Sequence, residues 1–231
     1  MSWTADLEGL GGERALDVAT GSGKLARELL GRYREVVGID TVTRGFAATE
    51  PGLALLEMDA ETMSFPDGHF DLVATSWSLH HFANATRVID EMQRVLRPGG
   101  KFLIIEPFLA PNGTNQDLHG EAHGLVAAID RARGNCHMPL FERMQIGSII
   151  QGLGLLDVQF APMMVQAAEA GWDLEACQVA AAPWVERMRA ASEAADLDAG
   201  LRERARALAV RLETEGMRTS PVMRTYGTKP D

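Results

Sequence analysis

The sequence predicts an α/β fold: a parallel sheet covered by helices on both faces. Two observations carry this. In the first half of the chain, short apolar runs alternate with helical or loop segments, the pattern of strands joined by crossover helices rather than by hairpins. With 231 residues, 46% of them hydrophobic, the chain has enough interior for a layered core in one globular domain.

The elements follow in order. Residues 15–18 are an apolar strand that runs into the turn Ala19-Thr20-Gly21-Ser22-Gly23 and then a helix. Further strands are expected at 35–40, 53–58, 70–76 and 101–106, each followed by polar or glycine-containing turns. Ligands in open α/β sheets sit beyond the carboxyl ends of the strands, so Asp17, Asp40, Asp59, Ser76 and Glu106 should rim one crevice. Residues 85–96 read as a helix with Val88, Ile89, Met92, Val95 and Leu96 on one face, stopped by Pro98-Gly99-Gly100. The carboxyl half reads as helices at 116–133 and 141–153, a strand at 156–160, and helices at 174–195 and 201–215, the last ended by Gly216. In that last helix Leu201, Ala205, Leu208 and Leu212 share one face, the mark of core packing. No internal repeat or low-complexity tract interrupts the pattern.

Charge and composition narrow the partners. A formal net charge of -10 argues against nucleic acid, which is bound by clustered Lys and Arg, and leaves a small molecule or a peptide. Two cysteines, Cys136 and Cys177, are too few for a disulfide framework, and the start of the chain lacks a charged-then-apolar leader, so a cytoplasmic location is expected. No stretch reaches the roughly eighteen apolar residues that would cross a bilayer, so membrane insertion is not expected. The sequence leaves the oligomeric state open, a homodimer included.

The turn at 19–23 is the most informative stretch. Two glycines between strand and helix let backbone approach a small molecule, and the helix start offers unpaired N–H groups. Gly21-x-Gly23-x-x-Ala26 also satisfies the dinucleotide pattern, with Asp40 at the spacing of a ribose-binding acid. Asp17 weighs against a pyrophosphate, because a carboxylate there would face two phosphates in a poorly screened site. A cationic nucleoside such as S-adenosylmethionine, with a sulfonium and an ammonium group and no phosphate, would welcome the acid and still need Asp40 for its ribose.

At this point the residues resemble a known family, the class I S-adenosylmethionine-dependent methyltransferases of the methyltransferase type 11 kind. The branch they most resemble includes the ubiquinone and menaquinone C-methyltransferases. The resemblance covers roughly residues 14–107 and rests on Leu16-Asp17-Val18-Ala19-Thr20-Gly21-Ser22-Gly23, Val37-Gly38-Ile39-Asp40, Met58-Asp59-Ala60-Glu61, Phe70-Asp71-Leu72-Val73, Leu79-His80-His81-Phe82 and Arg94-Val95-Leu96-Arg97-Pro98-Gly99-Gly100. It implies a Rossmann-like, seven-stranded, mostly parallel sheet with an antiparallel last strand, here residues 221–226. It further implies methyl transfer from S-adenosylmethionine to a small acceptor, leaving S-adenosylhomocysteine. By the same resemblance Asp17 and the Gly21–Gly23 backbone, with Ala19 and Thr20, hold the methionine end. Asp40 with Thr41 takes the ribose, Asp59 with the Ala60 amide and Glu61 reads adenine, and Ser76, Trp77 and His81 border the site. Acceptors for the hydroxyls and amino group and a donor for the ring nitrogen match what such a ligand needs.

Two departures stand out. Ala19 occupies a position where the family often has glycine, implying that the chain passes there without a positive φ angle. Residues 41–52 leave room for only a short helix before the third strand. The chain begins shortly before its first strand, so the lid is expected from the carboxyl half. On this reading residues 1–110 form the cofactor core of a single methyltransferase domain. Residues 111–155 and 165–217 are helical cap segments, the second inserted between strands six and seven.

If the acceptor must lose a proton, histidine suits that task near neutral pH. Of the six histidines, His80, His81, His119 and His123 are the catalytic candidates, and His137 joins His119 and His123, with Glu121 and Cys136, as the set within the expected lid. His119 and His123 at i and i+4, with Glu121 nearby, also admit a metal reading. That reading is set aside because the order is not that of a zinc-protease helix and Glu121 lies between the two histidine directions. Trp77, Trp172 and Trp184 could wall an apolar pocket, and Arg44 and Arg143 could meet an acceptor carboxylate. Packing behind the fourth strand explains Trp77 equally well, core packing is the better explanation of Trp172 and Trp184, and the two arginines fit ordinary solvation. Two other functions stay open: an S-adenosylmethionine-binding protein that does not methylate, and an NAD(P)-dependent oxidoreductase.

Overall fold

The computed structural model describes Thr4, Leu7 and residues 9–42, 50–109, 115–163 and 173–231; side chains of 115–117 are not among those described. Among these residues eight strands form: β1 (Gly12–Val18), β2 (Tyr33–Asp40), β3 (Leu53–Glu57), β4 (Phe70–Ser76), β5 (Leu96–Leu109), β6 (Phe141–Glu142), β7 (Leu156–Met163) and β8 (Val222–Thr228). The sheet order is β3-β2-β1-β4-β5-β8-β7, with β6 beside β5. The four pairings from β3 through β5 are parallel. Strand β8 runs the other way against β5: Gly99 N bonds Lys229 O at 3.0 Å near one end and Phe108 N bonds Pro221 O at 3.0 Å near the other. The mostly parallel sheet with an antiparallel final strand is therefore present, with the two-residue β6 as an addition the sequence did not reveal.

The chain divides into two compact units. The first comprises Met1–Glu106, Ile146–Ala161 and Met223–Asp231; the second comprises Pro107–Gln145 and Pro162–Val222. In the first unit, β1 buries Ala15, Leu16, Asp17 and Val18 in succession, as a central parallel strand covered on both faces must. Helix α1 (Lys24–Leu29) buries Leu25, Ala26 and Leu29. Helix α2 (Ala85–Val95) starts at Asn84, whose side chain accepts from Arg87 N at 3.1 Å, and buries Val88, Ile89, Met92 and Val95. It ends one residue before the expected limit. Leu96 is already extended, Arg97 is biased to the β region by the following proline, and Pro98-Gly99-Gly100 lies inside β5 rather than acting as the helix stop.

In the second unit, α3 (Asn115–Ala132), α5 (Leu174–Glu193) and α6 (Ala199–Glu215) bury one apolar cluster. It includes Leu118, Leu125 and Ile129 of α3, Val185 and Met188 of α5, and Leu208 and Leu212 of α6. Asp173 and Asp198 cap α5 and α6 by accepting from Ala176 N at 2.8 Å and Leu201 N at 2.9 Å. The expected helix at 141–153 is shorter. Its first two residues become β6 beside Phe108 and Leu109, and α4 (Arg143–Gln151) follows, most of it in the first unit rather than with the cap segment 111–155. No helix among the described residues is long and apolar enough to cross a membrane.

Candidate functional site

The first unit gathers its polar side chains where β1, β2 and β4 end. Asp17 is fully buried in β1, in register with Gly38 of β2 and Ala74 of β4. Its Oδ2 accepts from Thr20 Oγ1 at 2.6 Å and from Ala26 N, in the first turn of α1, at 3.0 Å. Its Oδ1 is also buried and meets no hydrogen-bond partner among the described residues. Burial is the dominant influence on this carboxyl group, outweighing the two hydrogen bonds and reinforced by the nearby Asp40, and it pushes the pKa from 3.8 up to about 7.

The glycine turn follows. Gly21 (φ 54) and Gly23 (φ 77) both adopt left-handed conformations that glycine accepts without steric cost. Gly21 N donates to Asp40 Oδ2 at 2.9 Å, while Asp40 Oδ1 accepts from Val42 N at 3.1 Å. The acid at the end of β2 thus braces the turn at the end of β1. Gly38 lets the two strands close up at this level, for a Cβ there would stand 2.7 Å from Thr20 Oγ1 and 2.6 Å from Leu55 Cδ2.

Ala19 corrects an expectation. Its φ is 55, so the position usually held by glycine keeps the left-handed conformation although a Cβ is present. The surroundings over-determine it: Thr20 N donates to Ile39 O at 2.9 Å, and Ser78 Oγ donates to Ala19 O at 3.2 Å and Ser76 O at 2.8 Å. Trp77, half-buried just past β4, has φ 56 and donates its N–H to Ile105 O at 2.7 Å. Two of the three non-glycine residues with positive φ among the described residues thus stand at adjoining strand ends, Asp157 of β7 being the third.

The remaining expected cofactor residues are placed as follows. Asp59 is exposed and caps its own turn by accepting from Glu61 N at 2.8 Å, next to buried Ala60. Glu61 turns toward α2, accepting from Asn84 N at 3.1 Å. Thr41 is exposed and Ser76 half-buried. Arg143 is exposed; Arg44 and Trp172 lie outside the described residues.

The histidines divide between the units. In the first unit, His80 is buried in the short 3-10 helix Leu79–His81, and its Nδ1 makes a very short contact with Glu106 Oε1. Glu106 is itself fully buried, and its other oxygen accepts from Leu79 N at 3.2 Å. The buried carboxylate on Nδ1 orients the imidazole ring. Sequence reasoning put Glu106 on the rim without a role; an acid ending the strand beside the His80 segment was the available signal. His81 is exposed, its ring 4.3 Å from that of His80.

In the second unit, His119 Nδ1 is bonded by Ser220 Oγ at 2.8 Å and accepts from Ser220 N at 3.1 Å, with Trp184 edge-on at 5.0 Å. Burial lowers its pKa to about 4, so it stays neutral near pH 7. Glu121 is turned away, held bidentately by Arg211 at 2.9 and 2.7 Å on the exposed side of α3, and does not join His119 and His123. Cys136 and Cys177 are free thiols, one exposed and one buried.

Residues 16–104 match the family model described as a methyltransferase domain. The chain is 36% identical over 122 residues to a demethylmenaquinone methyltransferase from Beutenbergia cavernae, covering 50% of this chain and 51% of that protein. The match thus spans about half the length of such curated relatives. Among solved structures, the YcgJ protein of Bacillus subtilis superposes with a TM-score of 0.62 at 16% identity over 95% of this chain and 92% of that one. Phosphoethanolamine N-methyltransferase 2 of Haemonchus contortus, in complex with phosphomonomethylethanolamine and S-adenosylhomocysteine, gives 0.58 at 18% identity over 96% of this chain and 50% of that one. These two share the fold. Residues 16–104 are thus similar to a methyltransferase domain, and the relatives matched over that part of the chain are named as menaquinone and ubiquinone methyltransferases.

Proposed function

We propose that this chain, with its methyltransferase domain at residues 16–104, is an S-adenosylmethionine-dependent methyltransferase acting on a small-molecule acceptor. The observation that carries the reading is Asp17: a fully buried carboxyl group at the end of β1, one oxygen tied to the turn and the other without a partner. A buried carboxylate is costly unless a positive charge joins it, so this residue is made for a cation rather than for a pyrophosphate. The residues present fit the cofactor. Asp17 and the Gly21–Gly23 turn, with Ala19 and Thr20, would hold its methionine end. Asp40 with Thr41 would take the ribose hydroxyls, and Asp59, Ala60 and Glu61 the adenine. Ser76, Trp77 and His81 complete the border.

When bound, S-adenosylmethionine supplies a methyl group already activated by a positive sulfur. The protein's share is alignment and proton management. For an acceptor that must lose a proton, we assign His80 Nε2 as the base. Glu106 fixes the tautomer and steadies the imidazolium that forms, the arrangement that makes a buried histidine an effective proton acceptor. His119, with its pKa near 4, is a poor base at neutral pH. The names of relatives, demethylmenaquinone methyltransferase in Beutenbergia cavernae and ubiquinone/menaquinone biosynthesis C-methyltransferase in Laribacter hongkongensis, support a quinol-type ring as acceptor class, with carbon accepting the methyl as the ring proton leaves. The free thiols Cys136 and Cys177 suit a reducing cytoplasmic setting.

The test is S-adenosylhomocysteine production from S-adenosylmethionine with a panel of hydroquinone, phenol and amine acceptors. Turnover with hydroquinones that falls by about 10²–10⁴ in His80→Gln supports both class and base. Turnover unchanged in that variant removes the base, and cofactor binding without turnover on any acceptor favours the non-methylating reading.

A further inference from the structure

Three side chains of the second unit form an arrangement that methyl transfer leaves unused. His137 Nδ1 lies 2.6 Å from Asp130 Oδ2, and His137 Nε2 lies 3.4 Å from His123 Nε2. The two rings stand nearly perpendicular, at 84° with centroids 4.8 Å apart, and both residues are buried, His123 at 8% and His137 at 4% exposure. The supports are firm. His123 sits on α3, Arg131 Nη1 donates to the His137 carbonyl at 2.5 Å, and Arg187 Nη2 stands 3.5 Å from Asp130.

Asp130 accepts the Nδ1 proton of His137, so the neutral imidazole carries its lone pair on Nε2, the atom that faces His123. A separation of 3.4 Å is long for a hydrogen bond between two ring nitrogens, for which about 2.7–3.2 Å is usual. It is the spacing of two nitrogens sharing one metal ion: at metal–nitrogen distances of about 2.0–2.1 Å and a tetrahedral angle, the nitrogens lie about 3.3–3.4 Å apart. A carboxylate on the far nitrogen of a metal-binding histidine is the usual outer support, fixing the tautomer and raising the basicity of the ligand.

We propose that His123 and His137 bind one divalent late-transition-metal ion, zinc foremost, through their Nε2 atoms, with Asp130 as the positioning carboxylate. Two imidazoles suit zinc, copper or nickel rather than magnesium or calcium, and leave the remaining positions to water or an oxygen donor. His119 is left out of the pair: its ring centroid lies 6.4 Å from that of His123, against 4.8 Å for His137, and its Nδ1 is held by Ser220. In this proposal the helical pair His119 and His123 at i and i+4 gives way to His123 with a residue beyond the end of the helix.

The experiment uses the full chain after chelator treatment and dialysis, titrated calorimetrically with zinc chloride and, in parallel, with cobalt chloride followed by visible absorption. One equivalent should bind, and His123→Gln and His137→Gln should each abolish it. Asp130→Asn should weaken it by about 10–100-fold, while Glu121→Gln, on the other side of α3, should leave it unchanged. Circular dichroism checks that each variant folds. X-ray absorption at the zinc edge of the unaltered chain needs no variant: a shell with two imidazole nitrogens at about 2.0–2.1 Å supports the site. An oxygen-only shell, no stoichiometric binding, or binding that survives in both histidine variants overturns it.

Discussion

Replacing Asp17 with asparagine should make the ligand-free protein more stable at neutral and alkaline pH, and the gain should vary with pH in a defined way. Because burial raises the folded-state pKa from 3.8 to about 7, the acid is protonated in the folded chain where the unfolded chain has already lost the proton. Asp17 therefore costs nothing below about pH 4. Its penalty grows as pH rises toward 7, and is constant above that. At 1.36 kcal/mol per tenfold change in affinity, the full penalty is about 4 kcal/mol, an upper figure for one buried carboxylate. Asparagine keeps an oxygen for Thr20 and Ala26 but cannot ionise, so the penalty disappears. Urea unfolding of both proteins by circular dichroism at pH 4.5, 6 and 8 measures this. The difference in favour of Asp17→Asn should widen by a few kcal/mol from the lowest to the highest pH. Curves that stay parallel across that range would refute the claim that an unpaired buried carboxylate sits at the end of β1.

Other consequences are checkable by simpler means. Ala19→Gly removes a Cβ from a left-handed residue, which costs about 1–2 kcal/mol there, against about 0.5–1 kcal/mol of added chain entropy. The variant should therefore melt no lower than the parent, and a drop of several degrees would contradict the strain. Asp40→Ala leaves the Gly21 and Val42 amides without their acceptor, and S-adenosylmethionine affinity should fall by about 1–3 kcal/mol in calorimetry. Leu212→Ala, at the fully buried end of the α6 stripe, should cost about 2–5 kcal/mol in urea unfolding.

Much of this architecture was legible because the signals were local. The strand boundaries at 35–40, 53–58 and 70–76 follow from compact apolar runs closed by turn residues, and β4 ends at Ser76 as read. The stripe Leu201, Ala205, Leu208 and Leu212 does what a helical period promises: the last three are buried, and Leu201 packs partly buried against the same cluster. Failures occurred where distant parts of the chain decide. Ala19 takes a positive φ because Ser78 and Ile39 fix its neighbouring groups, contacts that local propensity does not contain. Phe141 and Glu142 leave the helical pattern because Phe108 and Leu109 offer them a strand edge. The site divides in the same way. Asp17, Asp40 and the glycines announce themselves through motif spacing, whereas Glu106 finds His80 across 26 positions and His137 reaches His123 from beyond the helix end, pairings visible only after folding.

The role proposed for the buried acid of β1 is to hold a cationic nucleoside. Its most direct test is calorimetric titration of the intact protein and of Asp17→Asn with S-adenosylmethionine, S-adenosylhomocysteine and NADH, run at pH 6 in two buffers of different ionisation enthalpy. Micromolar binding of the first two, with close to one proton released per ligand in the parent and none in Asp17→Asn, is the expected result, because the ligand's ammonium group forces the Asp17 carboxyl to ionise. Binding of NADH alone, or binding of S-adenosylmethionine with no proton released, would contradict it.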